Sequence, residues 1–387
     1  MFNRAFATST TSRLSHNFIN FTPLGMPKAF SYFIIILVSA ACREPENQAN
    51  TLIKKADSPD SMILGIDVSS LTTTIPKGLV LYNQNNTAIN VFDFLRNHGI
   101  NTIRLRLWTG NHPYYGIQAY DSIIKRARKA GLNIWLNFHF SDTWADPANQ
   151  RIPNSWNTSN FKTLKSDFLN HISNAMLRFN PDFVQIGNEI GGGFLWPIGR
   201  VNNGNQFYAL CSAASKFIRE NHPKTKIIYH ISSYKKADWF FPKLLDEGID
   251  YDIGGVSYYP KWHGFNLDSL GQTLSRVSQA TGKRIIIAEN SYPFTLDWND
   301  WTDNVLGWEL DLHPNYAASE EGQKSFVKDM IQLVKSQPYK SGYCYWEGFW
   351  VVPQGHEKST NGTPWENQAL FDFSLRPLPV WENFDVR

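Results

Sequence analysis

From residue 62 onward, short apolar, β-branched runs alternate with longer stretches in which apolar residues recur every three to four positions. The first kind reads as strands buried on both faces, and the second as amphipathic helices that cover them. Strands are predicted at Met62–Val68, Thr102–Trp108, Asn133–Phe140, Phe183–Glu189, Lys226–Ile231, Asp252–Tyr259, Arg284–Glu289 and Gly342–Glu347. Helices are predicted at Ala88–Asn97, Ala119–Ala130, Phe161–Phe179, Gln206–Asn221 and Glu320–Lys335, with Gly131 and Gly282 placed to end helices ahead of strands. Eight strands in alternation with helices form an α/β fold, the closed (β/α)8 TIM barrel, here as a single domain over residues 61–387. A doubly wound open sheet is the alternative, but no Gly-rich phosphate turn follows the first strand.

Two of the runs, Val184-Gln185-Ile186-Gly187-Asn188-Glu189 and Ile285-Ile286-Ile287-Ala288-Glu289, end on a carboxylate. A lone glutamate there could cap a helix or pair with a lysine; two in matched positions meet on the catalytic face of a barrel, where paired carboxylates are the machinery of glycoside hydrolysis. Arg104 and Arg106 share one face of the second strand by period-2 alternation, so both can point into the mouth and hold a carboxylate ionised. Asn188 precedes Glu189 and can reach a sugar hydroxyl. His139, Tyr258 and Trp346 occupy the ends of strands three, six and eight. The connections 140–160 and 290–318 are long for a barrel and carry Trp144, Trp156, Trp298, Trp301 and Trp308, which marks them as binding loops.

Composition agrees with a sugar-binding surface, since 14% of the 387 residues are aromatic. The formal charge of +3 comes entirely from Arg4, Arg13 and Lys28, which precede residue 42 with no acidic residue among them. The remaining 34 basic and 34 acidic residues cancel, so no clustered basic surface for nucleic acid is expected, and a neutral polymer fits better. Residues 1–41 read as a leader, whose apolar core Phe30–Ala41 is too short to span a bilayer but suits a signal peptide. Ser39, Ala40 and Ala41 directly precede Cys42, a bacterial lipoprotein-like cleavage box that would make Cys42 a lipidated N-terminus; an ordinary cleaved signal is the alternative. Residues 42–60 form a polar linker. The expected product is exported, surface-bound or periplasmic, and monomeric, touching a membrane only through that lipid. Cys211 and Cys344 lie in apolar surroundings and read as free buried thiols.

Several segments together resemble glycoside hydrolase family 53, the endo-β-1,4-galactanases of clan A. They are Gly65-Ile66-Asp67-Val68-Ser69, Asn101 to Trp108, His139-Phe140-Ser141-Asp142-Thr143-Trp144-Ala145-Asp146-Pro147, Gly187-Asn188-Glu189-Ile190 with Leu195-Trp196-Pro197, Ser257-Tyr258-Tyr259-Pro260, and Trp365-Glu366-Asn367-Gln368-Ala369-Leu370-Phe371. The resemblance implies a retaining enzyme that cuts β-1,4-galactan, with Glu189 as general acid/base and Glu289 as nucleophile. Arg104, Arg106, His139, Asp142, Trp144, Asn188, Tyr258 and Trp346 would then contact or position substrate. Asn290 departs from the threonine expected after the nucleophile. The resemblance also implies a structural calcium ion (Ca2+), held by Glu309, Asp311, His313 and Asn315 with Thr363 and Glu366 from the last loop; a solvated acidic loop is the alternative.

Overall fold

The computed structural model describes residues 57–58, 60–339 and 341–384. The leader, Cys42 and most of the linker lie outside the described residues. Eight parallel strands close a barrel in sequence order: β1 (Ile63–Asp67), β2 (Thr102–Leu107), β3 (Asn133–Phe138), β4 (Phe183–Gln185), β5 (Lys226–Ile231), β6 (Ile253–Ser257), β7 (Arg284–Asn290) and β8 (Gly342–Tyr345), with β8 paired back to β1. All eight predicted strands are present. Their apolar, doubly buried character is what a strand needs when helices cover one side and the barrel plug the other.

The covering helices of seven residues or more, among the described residues, are α1 (Val91–Asn97), α2 (Asp121–Lys129), α3 (Phe161–Phe179), α4 (Gln206–Asn221), α5 (Ala237–Asp246), α6 (Leu267–Thr281) and α7 (Glu320–Lys335). A 3-10 turn, Pro379–Phe384, packs on α7 after β8. Local chemistry sets their ends. The Asn160 side chain accepts the Thr163 amide proton at the start of α3, and Ser319 accepts that of Gly322 at the start of α7. Gly131 and Gly282 adopt φ of 77° and 65°, the left-handed conformation that stops a helix, as the sequence led one to expect.

The core has two layers. The larger lies between strands and helices, and the smaller fills the barrel with Ile63, Trp135, Phe183, Ile228, Ile253, Ile286, Ala288 and Cys344. Those plug residues reveal which alternating set faces inward. Continuing each alternation toward the C-terminal rim places Asp67, Arg104, Asn137, Gln185, His230, Ser257 and Tyr259 above the plug, so a polar layer sits on an apolar one. Cys211 and Cys344 are free and buried, and burial raises both thiols well above their ordinary range, so they are inert.

Two irregularities aim the carboxylates. The predicted strand Phe183–Glu189 stops at Gln185, because Gly187 turns with φ 83° so close to Ile190 that a Cβ would lie 2.5 Å from its Cγ2. Glu189 then takes φ 53°, an uncommon conformation for a residue with a side chain. In β7, the three steps from Ile287 to Asn290 match only two steps of β8, Tyr343 to Tyr345. This bulge lets Ala288 join the plug while its neighbour Glu289 also reaches the interior, which strict alternation would forbid.

Candidate active site

Above the plug, Arg104 is 1% exposed and binds four partners. Its Nη1 donates to Asp67 Oδ2 at 3.0 Å and to Glu289 Oε2 at 3.3 Å, its Nη2 to Asn188 Oδ1 at 2.9 Å, and its Nε to Gln185 Oε1 at 3.2 Å. A buried guanidinium needs such pairing, and it supplies positive charge to whichever carboxylate it touches. Glu289 receives a second donor, the Tyr259 hydroxyl, at 3.1 Å from Oε1. Burial raises the Glu289 carboxyl above its usual range, while Arg104 and Tyr259 oppose the rise.

Glu189 has a different environment. Its Oε1 accepts only the Ser257 hydroxyl, at 2.7 Å, and Arg104 lies too far away to bond it. Burial, and then the charge of Glu289, push the Glu189 carboxyl up to about 8. The acid form is thus favoured at Glu189, and Arg104 and Tyr259 favour the anion at Glu289, the asymmetry in which one carboxyl donates a proton and the other attacks or stabilises positive charge.

A cleft of about 540 Å³ opens over both carboxylates. His139, Trp144, Asp146, Asn188, Tyr259, Trp262, Trp346 and Trp365 line it, and four indoles with several polar tips suit a sugar chain. His139 is held by the Ala145 amide, which donates to Nδ1 at 3.0 Å, and its Nε2 lies 3.1 Å from Asn137 Nδ2. Burial beside Arg106 and Arg104 keeps that ring neutral. Asn188 also donates to the Ala145 carbonyl at 2.9 Å, which locks the loop after β3 against the tip of β4.

Of the residues expected from sequence, Glu189, Glu289, His139, Trp144, Asn188 and Trp346 meet at the cleft, and Arg104 lies directly beneath it. Three others do not reach the cleft. Tyr258 turns outward, its hydroxyl on the Gly264 carbonyl at 2.9 Å and its ring stacked on Phe326, because Ser257 and Tyr259 hold the inward alternation of β6. Asp142 braces two loops by accepting the Thr109 hydroxyl and the Asn154 amide, each at 2.7 Å, and Asp146 of the same loop faces the cleft instead. Arg106 lies under Trp144, its guanidinium 3.9 Å from the indole centroid, and pairs with Glu347 at 2.8 Å. It supports the aromatic floor. Asn290 is also structural: it donates to the Tyr258 carbonyl and accepts the Tyr343 hydroxyl at 2.8 Å.

Of the six residues expected to hold calcium, Asp311, His313, Thr363 and Glu366 are engaged by other protein groups. Asp311 is paired with Lys261 at 3.1 Å, and Lys261 also donates to the Val305 carbonyl at 2.8 Å. His313 uses both ring nitrogens, toward the Phe265 carbonyl at 2.8 Å and the Asn315 amide at 3.2 Å, while Glu309 is exposed. Thr363 donates to the Trp350 carbonyl at 3.2 Å, and Glu366 accepts the amides of Asn299 and Asp300. Among the described residues no group of three or more His, Cys, Asp or Glu is placed to hold a metal ion.

Sequence reasoning missed Gln185, His230, Ser257, Tyr259, Trp262 and Trp365. A signal existed for the first two, since each is a polar residue inside an otherwise apolar strand run, and a buried polar side chain is more informative than a buried leucine. Trp298, Trp301 and Trp308, by contrast, are 52%, 61% and 74% exposed and do not line the cleft.

A (β/α)8 barrel that brings two buried carboxyls in unequal environments to one aromatic cleft belongs among the glycoside hydrolases. The profile of "Glycosyl hydrolase family 53" matches residues 63–384, and the chain belongs to that family. Among its relatives, a protein of Niallia circulans described as "Uncharacterized protein in bgaB 5'region" is 32% identical, over 82% of this chain and 92% of its own length. The arabinogalactan endo-beta-1,4-galactanase of Cellvibrio japonicus (strain Ueda107) is 30% identical over 75% of this chain and 81% of its own. The solved GH53 catalytic domain of Ignisphaera aggregans superposes with a TM-score of 0.79 at 33% identity, covering 87% of this chain and 99% of that one.

The raised Glu189 pKa has a thermodynamic consequence. The native state holds a proton at Glu189 that the unfolded chain, with a carboxyl near 4.5, has already released between those two pH values. This contribution to stability is complete below about pH 4.5 and disappears as pH rises through about 8. Glu189→Gln, which keeps the neutral form, should therefore melt higher than the unaltered protein at pH 8.5, with the difference shrinking toward pH 5. A difference that does not vary with pH in a series of thermal melts would contradict the assignment.

Proposed function

We propose that this protein is a retaining endo-β-1,4-galactanase that cleaves internal bonds of galactan and arabinogalactan by double displacement. The observation that carries the reading is the unequal sharing of Arg104: it bonds Glu289 and leaves Glu189 to a neutral hydroxyl. In the first step Glu289 attacks the anomeric carbon while Glu189 gives its proton to the departing glycosidic oxygen. In the second, Glu189, now a carboxylate, takes a proton from the water that attacks the same carbon and frees Glu289. Membership of family 53, and the galactanase names of relatives near 30% identity, support the substrate.

Galactose differs from glucose and mannose in its axial 4-hydroxyl, so a β-1,4-galactan leaves each ring in another direction and needs a differently curved cleft. Polar groups matched to those oxygens reject the epimeric chain because the wrong sugar leaves them unpaired. Linear β-1,4-galactan should therefore lose polymer length rapidly and release short galacto-oligosaccharides, with mannan, xylan and cellulose cleaved far more slowly. Glu189→Gln and Glu289→Gln should each lower turnover by about 100-fold or more without loss of fold. Faster cleavage of mannan or cellulose would favour another clan A specificity. No cleavage of any polymer would favour a glycan-binding role.

We further propose export with a lipid on Cys42, supported by the short apolar segment Phe30–Ala41 and the small residues before the cysteine. Expressed in a bacterial host, the full chain should incorporate radiolabelled palmitate and the Cys42→Ser variant should not. Equal labelling of the two would remove the anchor.

A further inference from the structure

Behind the cleft a line of hydrogen bonds runs from Arg104 to Glu189 without passing through Glu289. Arg104 Nε–H can only donate, so the Gln185 atom 3.2 Å away is its carbonyl oxygen. That fixes the orientation of the Gln185 amide and makes its Nε2 a donor, with one proton toward the Gly187 carbonyl at 2.9 Å and one toward His230 Nδ1 at 3.1 Å. The Glu189 backbone N–H, also a donor only, points at the same Nδ1 from 3.4 Å. His230 Nδ1 is thus an acceptor, so the ring proton sits on Nε2 and faces Ser257 Oγ at 3.0 Å. Ser257 accepts that proton and has one of its own to give, to Glu189 Oε1 at 2.7 Å.

The opposite tautomer would send Nδ1–H to Asn188 Oδ1, 3.2 Å away, but would turn two donors, the Gln185 amide and the Glu189 N–H, against it. Asn188 Oδ1 already accepts Arg104 Nη2 and Asn137 Nδ2. Ring burial beside Arg104 holds His230 far below its ordinary pKa, so it stays neutral and can donate from one nitrogen only.

We propose that Gln185, His230 and Ser257 form a directional relay, polarised by Arg104, which occupies Glu189 Oε1 and thereby confines the acid proton to Oε2, the oxygen left to serve the glycosidic bond. The inference rests on Glu189 being the acid/base. His230 and Ser257 are positioning residues in this scheme, and no proton crosses them. The proton on Oε2 passes to the leaving oxygen as the anomeric bond breaks, and one from the incoming water replaces it. The other charged or titratable groups facing Glu189 are Glu289 from β7, Asp146 from the loop after β3, Arg104 from β2 and Tyr259 beyond β6.

The tautomer can be read without substrate. In the full chain labelled with 15N-histidine, the resonance pair lost in His230→Gln should show a protonated Nε2 and a bare Nδ1 from pH 5 to 8; a protonated Nδ1 would overturn the relay. Ser257→Ala should then lower kcat on galactan about 10- to 100-fold with little change in KM, as expected for one hydrogen bond to a charged or charging group. The same variant should lose less than about threefold on an aryl glycoside whose phenolate departs without a proton. The alkaline limb of its kcat/KM profile should move upward, because the Glu189 carboxylate has lost a donor, and Ser257→Thr should restore both. Equal losses on both substrates with an unmoved limb would mean that Ser257 is merely structural and would overturn the proposal. If Glu189→Gln left galactan cleavage intact, the assignment of the acid would fail, and the tautomer result would be unaffected by that.

Discussion

Arg104 carries one positive charge and a fork of donors into a place that water does not reach, and the site is built around satisfying it. Asp67 and Glu289 share Nη1, and two carboxamides, of Gln185 and Asn188, take the remaining donors. The Arg104 charge beside Glu289 favours its anion and opposes the effect of burial. That anion, with burial, keeps Glu189 protonated. The same guanidinium therefore sets both ionisation states, one by contact and one through the charge it stabilises. Removing it would leave buried carboxylates unpaired and Gln185 free to turn.

A second pair, Arg106 with Glu347, repeats the device at 2.8 Å one step nearer the rim, for a different purpose. Arg106 is sandwiched between Tyr115, 4.6 Å from the ring centroid, and Trp144 at 3.9 Å, so its charge anchors the aromatic floor by cation–π contact. Trp144 in turn neighbours Trp346 and Trp350 at about 6 Å, and Trp346 meets Trp365 at 4.4 Å. The paired carboxyls and the aromatic floor thus stand on two separate arginines from the same face of β2. Both Glu189 and Glu347 follow their strands with positive φ, at 53° and 54°, which turns the chain sharply at two points of the same C-terminal rim.

The barrel was legible in the sequence because parallel strands must be apolar on both faces, and the helix boundaries because Asn, Ser and Gly act locally. That same double burial hid the inward set. In β6 nothing in the pattern separates Tyr258 from Tyr259, and only the plug residue Ile253 reveals that Ser257 and Tyr259 face in. The β7 bulge was equally invisible, although its result, Glu289 in the mouth, was anticipated from the position of the strand tip. Of the alternating acidic residues after β7, Asp311 is paired with Lys261, a residue distant in sequence. Long-range placement of that kind leaves no local trace. Asp142 and Asp146 stand four apart in one loop, and which of them reaches the cleft depends on where Thr109 and Asn154 lie.

In the proposed mechanism Arg104 makes Glu289, and not Glu189, the attacking carboxylate. A 2-deoxy-2-fluoro β-galactobioside with a reactive leaving group slows release of the covalent sugar more than its formation, so the attacked residue stays labelled. Peptide mapping by mass spectrometry should place the added sugar mass on the peptide containing Glu289, with no label in Glu289→Gln. The label on Glu189, or on neither carboxylate while the polymer is still cleaved, would contradict the account.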